Sequence, residues 1–231
     1  LIADGESLND LVKKAGGLTL NAYPFGAVYE NQKAFLINKM AKDKLYEEFI
    51  DNIITISQKN PTGNFDLTSV INLTKNLKNT LPNGRVGIDL TDKLSTESLV
   101  IQNGDTLNIP EKSNHIYIYG EVNYEGALKF EDKEDIDFYI SKSGGLKENA
   151  SKKSIYVLHP NGDTQRYNMG RKNIFQNSPS STEMILYPGS VIFIPRGIDN
   201  SATTRLAAQA YVSILGNIGI ALASLSSIKN N

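Results

Sequence analysis

Residues that could carry out chemistry are sparse and scattered in this sequence. It has two histidines, His115 and His159, and no cysteine. Cysteine nucleophiles, thiolate zinc sites and disulfides are therefore excluded within this stretch. His115 opens a predicted strand and His159 follows another, and neither has a catalytic partner at a spacing typical of a known motif. A structural role is favoured for both.

The acidic residues do not form a recognisable catalytic or metal-binding motif. The densest run, residues 131–137, lacks the order of a calcium loop and is typical of a solvated helix start. Asp89 and Asp92 could be pictured as a glycosidase pair, but a chain with 25 acidic residues offers many such pairs. Walker, nucleophile-elbow and zinc-protease motifs are missing. The sequence predicts a protein that is not an enzyme and binds no cofactor or metal.

Three tyrosines are the best candidates for contact with a ligand. Tyr117, Tyr119 and Tyr124 lie in or just after one predicted strand and could stack on sugar rings. Packing in the core or against another subunit is the favoured interpretation.

The overall composition excludes two classes of protein. The 231 residues include 24 Lys+Arg and 25 Asp+Glu, a net charge of -1, and 40% are hydrophobic. A strongly basic nucleic-acid binder and a disordered acidic tail are both excluded for the whole chain. The length allows one or two domains.

The charged part of the chain contains an internal duplication. LNDLVKKAGGLTLNAY at 8–23 aligns with IDFYISKSGGLKENAS at 136–151, so Gly16 pairs with Gly144. IQNGDTLNIP at 101–110 aligns with LYPGSVIFIP at 186–195, and the offset, the number of residues between paired positions, is smaller here than for the first pair of segments. Because the offset decreases along the chain, the first copy must contain extra residues, and we place this insertion at Lys33–Thr80. Apolar spacing there predicts two helices, over Phe35–Ile53 and Leu67–Leu77, separated by a break at Asn60–Asn64.

Each copy is predicted to be a small α+β unit with one short helix on a mixed sheet. The helix ends at a Gly-Gly pair, since glycine readily adopts the left-handed conformation of a helix C-terminus. Short β-branched or aromatic runs predict the strands 85–90, 115–119, 154–158 and 191–194, and 165–167 closes a hairpin with 154–158. The second copy opens near His115, and the same offset puts the matching start of the first copy ahead of Leu1. We therefore expect the parent protein to be longer.

These motifs resemble the SLBB domain, a β-grasp-type module. The second copy matches through IYIYGEVNYEGALKF, SGGLKENAS and LYPGSVIFIP, and the first through DGESLNDLVKKAGGLTLNAYPFGAVYEN, GRVGIDL and IQNGDTLNIP. The SLBB pattern usually has an aspartate after the glycine of LYPGSVIFIP, but this chain has Ser190 there. The first copy has the usual aspartate, Asp105. Two such modules followed by an amphipathic helix resemble the outer-membrane polysaccharide export proteins of the Wza and KpsD type.

The resemblance implies a domain plan and an assembly. The plan is an incomplete first SLBB domain at 1–111, a second at 112–198, and a C-terminal amphipathic helix at 199–231. The assembly is a ring homo-oligomer with a periplasmic body and a helical barrel in the outer membrane of a Gram-negative bacterium, exporting capsular polysaccharide or exopolysaccharide. The implied partners are the polysaccharide cargo, outer-membrane lipid and an inner-membrane copolymerase or ABC exporter. A periplasmic SLBB sugar-binding or scaffolding protein that forms no pore remains the alternative.

The C-terminal segment has a pattern of its own that bears on this assembly. Leu206–Ile228 has no charged residue, and as a helix the segment from Ala202 would be about 40 Å long, longer than the about 30 Å hydrocarbon core. One face is predicted to line a pore: Arg205, Gln209, Ser213, Asn217, Ser224 and Ser227. The opposite face is predicted to contact lipid: Tyr211, Ile214, Leu215, Ile218, Leu222 and Leu225. From the residues alone, a core helix and an interfacial helix remain open; with the resemblance, a barrel around a wet lumen is favoured.

Overall fold

The computed structural model describes residues 5–59, 74–75, 78–79, 84–86, 88–169 and 184–197. The fold is mixed α+β, which confirms the predicted fold class at that level. The described residues divide between Lys112 and Ser113 into two compact units, unit 1 before the division and unit 2 after it. The predicted C-terminal helix, 199–231, lies outside the described residues. Among the residues that are described, no helix has the length and apolar character to cross a membrane.

Unit 1 packs a short helix against a three-stranded sheet. Its elements are helices α1 (Leu8–Lys14), α2 (Gln32–Lys59) and α3 (Lys93–Ser98), a 3-10 turn (Pro24–Gly26), and strands β1 (Val28–Glu30), β2 (Arg85–Val86) and β3 (Thr106–Asn108). The antiparallel sheet has the order β2-β1-β3. A capping box between Ser7 and Asp10 begins α1. Leu8 from α1 and Tyr29 from β1 are buried together in the core of the unit.

Unit 2 packs one helix against a five-stranded sheet. Its elements are strands β4 (His115–Gly120) and β5 (Gly126–Lys129), helix α4 (Ile136–Lys142), and strands β6 (Ile155–Leu158), β7 (Thr164–Tyr167) and β8 (Val191–Ile194). The order is β5-β4-β8-β6-β7, with β4 and β8 parallel. The core lies between α4 and the sheet, where Ile118, Ile192 and Val157 come from three adjacent strands. Asp135 caps α4, so the acidic run does mark a helix start, as predicted.

The two units share one strand register. Tyr29 pairs with Leu107 in unit 1, and their counterparts at the sequence offsets, Val157 and Ile192, pair in unit 2. The helix stops also agree: the Gly17 N–H donates to the Val12 carbonyl at 2.9 Å, and the Gly145 N–H donates to the Ile140 carbonyl at 2.9 Å. The alignment seen in the sequence therefore corresponds to equivalent backbone positions.

The insertion interrupts a hairpin of unit 1. The connection between β1 and β2 runs over residues 31–84, whereas the equivalent β6–β7 connection in unit 2 runs over residues 159–163. The predicted insertion, 33–80, lies inside this connection, and α2 covers its first predicted helix. The predicted break at Asn60–Asn64 lies outside the described residues, as does nearly all of the predicted helix Leu67–Leu77. The predicted strand 85–90 is wrong beyond Val86 among the described residues, and α3 has no counterpart among the sequence-based predictions.

Candidate functional site

Every residue predicted to line a pore or to face lipid, from Arg205 to Ser227, lies outside the described residues. Within the described residues, the surface with the most distinctive chemistry is the side of the unit 2 sheet that α4 does not cover. We call it the outer face. Strand alternation and register place these residues on it: His115, Tyr117, Tyr119, Ala127, Lys129, Tyr156, Leu158, Thr164, Arg166, Val191 and Phe193.

An aromatic row crosses the outer face from one strand to the next. The register aligns Tyr119, Phe193, Tyr156 and Arg166 on β4, β8, β6 and β7. Adjacent strands lie about 4.8 Å apart, so the four side chains are neighbours. Tyr119 and Phe193 are half-buried, whereas Tyr156 is only 2% exposed. Of the aromatic row, only the Tyr119 and Phe193 rings are therefore partly accessible, and Leu158 and Val191 on the same face are also at most 2% exposed.

The strand residues of the outer face that carry a charge are cationic. They are Lys129 and Arg166, and no strand position on this face carries an acidic residue. The Arg166 guanidinium donates to the Lys153 carbonyl at 3.0 and 3.1 Å. Burial raises the pKa of the Tyr156 hydroxyl, and the nearby charge of Arg166 opposes that rise. Lys129 pairs with Glu131 at 3.1 Å, just beyond the end of β5.

Unit 1 shows that the fold does not require this aromatic surface. At the positions equivalent to Phe193, Leu158 and Val191, unit 1 has Asn108, Glu30 and Thr106 in the same register, and at that of Tyr156 it has the apolar Val28. Two units with one backbone arrangement thus differ in the chemistry of this face. Aromatic rings beside a cation suit two kinds of partner, the apolar faces of sugars and another protein surface.

The structure does not bring the three candidate tyrosines together. Tyr117 and Tyr119 lie on the outer face, as alternate residues of β4. Tyr124 lies in the β4–β5 turn, 74% exposed, and a Cβ at Gly144 would be 2.8 Å from its ring. The outer-face residues that were not predicted are Phe193 and Tyr156. Their alternation within VIFI and IYVL was visible in the sequence, but their adjacency depends on strand order.

The two histidines differ in environment. His159 is 3% exposed, its Nδ1 lies 3.2 Å from the Ser190 Oγ, and its ring meets the Tyr187 ring edge-on at 5.3 Å. Burial lowers the pKa of His159, and Gln165 and Asp163 partly offset this. His159 thus joins the β6–β7 turn to the turn before β8, which is a structural role.

Ser190 keeps the backbone function of the aspartate it replaces. Its Oγ accepts from the Tyr187 N–H at 3.1 Å, just as the Asp105 Oδ2 accepts from the Gln102 N–H at 2.7 Å in unit 1. Asp105 also accepts from the Tyr29 hydroxyl. Burial, together with Asp105, raises the pKa of Tyr29 to about 12.

The acidic residues considered for catalysis have local structural partners. Asp89 accepts from the Thr91 N–H and hydroxyl at 2.8 and 2.6 Å, and Asp92 accepts from the Leu94 N–H to cap α3. In the part of the chain that the structure describes, no three histidine, aspartate or glutamate residues are grouped as metal ligands.

Comparison with known proteins places the chain near polysaccharide transport proteins. The SLBB domain family matches residues 115–168, within unit 2. Two proteins of Escherichia coli, each named Polysialic acid transport protein KpsD, are 28% identical to the chain over 120 residues, which is 51% of this chain and 20% of each relative. The chain thus spans only about a fifth of these relatives. The predicted resemblance, an SLBB domain in a protein similar to polysaccharide export proteins of the KpsD type, is confirmed.

Proposed function

We propose that this chain is a non-enzymatic component of a polysaccharide export assembly in the envelope of a Gram-negative bacterium. The similarity to the polysialic acid transport proteins, together with the SLBB match in unit 2, carries the proposal. The described structure supports the non-enzymatic part of the proposal, because the acidic groups considered for catalysis have local structural partners.

The finer proposal concerns how the chain takes part in export. Several copies form a ring, and the helices of residues 199–231 gather into a barrel through the outer membrane. The wet face, from Arg205 to Ser227, lines a passage for hydrated sugar, and the apolar face, from Tyr211 to Leu225, contacts lipid. Because the amides and hydroxyls of this face meet water in the passage, the helix avoids the cost of placing polar groups in hydrocarbon. An inner-membrane copolymerase or ABC exporter supplies the polymer.

The aromatic outer face fits this function as a contact surface. In unit 1, Asn108 takes the place of Phe193 and Val28 that of Tyr156, although the register is shared. This observation also favours the second candidate function, an SLBB binding or scaffolding module that forms no pore.

The experiment that separates the two functions uses charge placed on opposite faces of the tail. In the full-length protein, Ile218→Asp with Leu222→Asp puts carboxylates against lipid, so we expect loss of membrane association and of surface polysaccharide. The matched control, Ser213→Asp with Asn217→Asp, puts the same charge on the wet face and leaves membrane association intact.

The readouts are membrane fractionation, surface polysaccharide in a strain lacking the gene, and micrographs of the detergent-extracted protein. Normal membrane association of the Ile218/Leu222 variant would refute the barrel. If export also persists when the gene is deleted, the export function itself is refuted.

A further inference from the structure

Four exposed basic residues lie at the corner of unit 2 where β6 begins: Lys152, Lys153, Arg166 and Arg196. We call this group the basic corner. The two lysines precede β6, Arg166 lies in β7, and Arg196 follows β8. The segments that carry the corner hold these four basic residues and no acidic residue: 149–153, 164–169 and 195–197.

Backbone contacts hold the segment before β6 beside the end of β8. The Ser151 N–H donates to the Pro195 carbonyl at 2.9 Å, and Ala150 forms an isolated β-bridge with Arg196. The two lysines of the corner follow Ser151 directly in the chain. They and Arg196 therefore lie on neighbouring segments.

The end of β7 flanks the same segment on its other side. The Met169 N–H donates to the Lys152 carbonyl at 2.9 Å. The Arg166 guanidinium donates to the Lys153 carbonyl at 3.0 and 3.1 Å, so its positive charge lies against the backbone of the lysine pair. Three segments that are distant in the chain thus bring four cations together.

Unit 1 has the same backbone contacts without the cations. The Tyr23 N–H donates to the Pro110 carbonyl at 2.8 Å, and Ala22 forms an isolated β-bridge with Glu111. By the sequence offsets, the counterparts of Lys152, Lys153 and Arg196 are Pro24, Phe25 and Glu111. The fold therefore does not require positive charge at these positions.

The basic corner lies where the chain leaves unit 2 for the tail. Arg196 is three residues ahead of residue 199, where the tail helix is predicted to begin. An extended chain advances at most about 3.6 Å per residue, so the two positions are within about 11 Å of each other. If the tail crosses a membrane, the corner stands beside the membrane surface.

We infer that the basic corner binds the anionic phospholipid headgroups of the leaflet that the tail helix enters. Because it requires residues 199–231 to span the membrane, this role rests on the proposed function. Lys152, Lys153 and Arg196 contact the lipid phosphates, and Arg166, which is bonded to the Lys153 carbonyl, adds charge behind them. Each Lys or Arg near an anionic membrane surface gives about a fivefold gain in affinity.

The test reconstitutes the full-length protein into vesicles of phosphatidylcholine mixed with phosphatidylglycerol, extracts it gently and counts the retained lipids by native mass spectrometry. We expect phosphatidylglycerol to be enriched at least about fivefold over its share of the vesicle, and a wash with about 0.5 M NaCl to remove the enrichment by screening. Lys152→Gln with Lys153→Gln should bring the ratio close to that of the vesicle. Lys13→Gln with Lys14→Gln, an adjacent exposed pair in unit 1, is the matched control and should keep the enrichment.

Equal enrichment in the wild-type protein and the Lys152/Lys153 variant would overturn the inference and leave the membrane span intact. An equal loss in the Lys13/Lys14 control would also overturn it, since net charge would then be the cause. Protein that does not float with phosphatidylcholine vesicles would refute the membrane span, and the inference with it. Binding of polygalacturonate is measured in neutral detergent: if the Lys152/Lys153 variant loses that binding but keeps its phosphatidylglycerol, the corner serves an acidic polysaccharide instead.

Discussion

In unit 1, β3 pairs with β1, and no described strand lies along its other edge, the open edge, whereas β8 in unit 2 has a neighbour on each side. Truncating equivalent core residues in the two units tests how far this difference weakens unit 1. Ile192 is 0% exposed, with Ile118 on one side and Val157 on the other. Leu107 holds the equivalent position, half-buried, with Tyr29 on one side only. Ile192→Ala removes fully buried methyl groups and leaves a cavity, whereas Leu107→Ala removes groups that already lie partly in an open space.

The expected costs follow from this difference in burial. A fully enclosed aliphatic side chain costs about 2–5 kcal/mol on truncation to alanine, and the central position of Ile192 favours about 4 kcal/mol. Leu107 loses only part of the transfer free energy, about 1–2 kcal/mol. The difference, about 2 kcal/mol or more, corresponds to a ratio of at least about 30 in the unfolding equilibrium constants.

The assay is urea unfolding followed by amide exchange, which reports the free energy of unfolding of each unit separately. Leu20→Ala is the control, since Leu20 is fully exposed and its truncation should change that energy by no more than about 0.5 kcal/mol. Equal costs of the two substitutions in the 231-residue chain would refute the reasoning.

Three further predictions concern single residues. Gly120→Ala should destabilise unit 2 by several kcal/mol in chemical denaturation, because a Cβ would lie 2.1 Å from the Ile194 carbonyl oxygen. The control is Gly104→Ala, which has open space around the Cβ and should cost only about 1 kcal/mol of backbone strain. Equal losses of stability in the two variants would contradict this account. Burial lowers the pKa of His159 below its ordinary 6.5, so the unfolded chain binds the proton before the folded chain does as pH falls. The free energy of unfolding of unit 2 should therefore decline from about pH 6.5 downward. A profile of the urea midpoint over about pH 5–8 should become flatter in His159→Gln, and an unchanged profile would exclude this residue as the cause. Ser7→Ala removes the capping hydrogen bond to the Asp10 N–H and should cost unit 1 about 1 kcal/mol in the same assay, whereas an unchanged midpoint would show that the cap is unimportant.

Several elements were predictable because their signals are local. The Gly-Gly pairs mark the ends of α1 and α4, where the structure has positive φ at all four glycines. Short β-branched or aromatic runs mark β4, β6 and β8. The predicted strand 85–90 was less reliable, since the structure has a strand only at Arg85–Val86 among the described residues. Short segments with few buried neighbours take their conformation from tertiary contacts rather than from propensity.

The candidate site was only partly predictable. Tyr117 and Tyr119 could be selected from one strand, because residues two apart share a face. Phe193, Tyr156 and Arg166 lie far from them in the chain and join them only through the order β4-β8-β6-β7. Tyr124 looked equivalent in the sequence, yet the turn places it away from the outer face.

The sequence by itself determined the two copies, the offsets that relate them and the α+β character of each, because glycine stops and β-branched or aromatic runs act over a few residues. Tertiary structure alone decided which strands are neighbours, and with them the aromatic row of unit 2 and the open edge of β3 in unit 1. The reason is that strand pairing joins residues far apart in the chain. In unit 2, β4 lies along β8, the counterpart of β3, whereas no described strand lies along that side of β3. The local sequence of β3 does not reveal this difference.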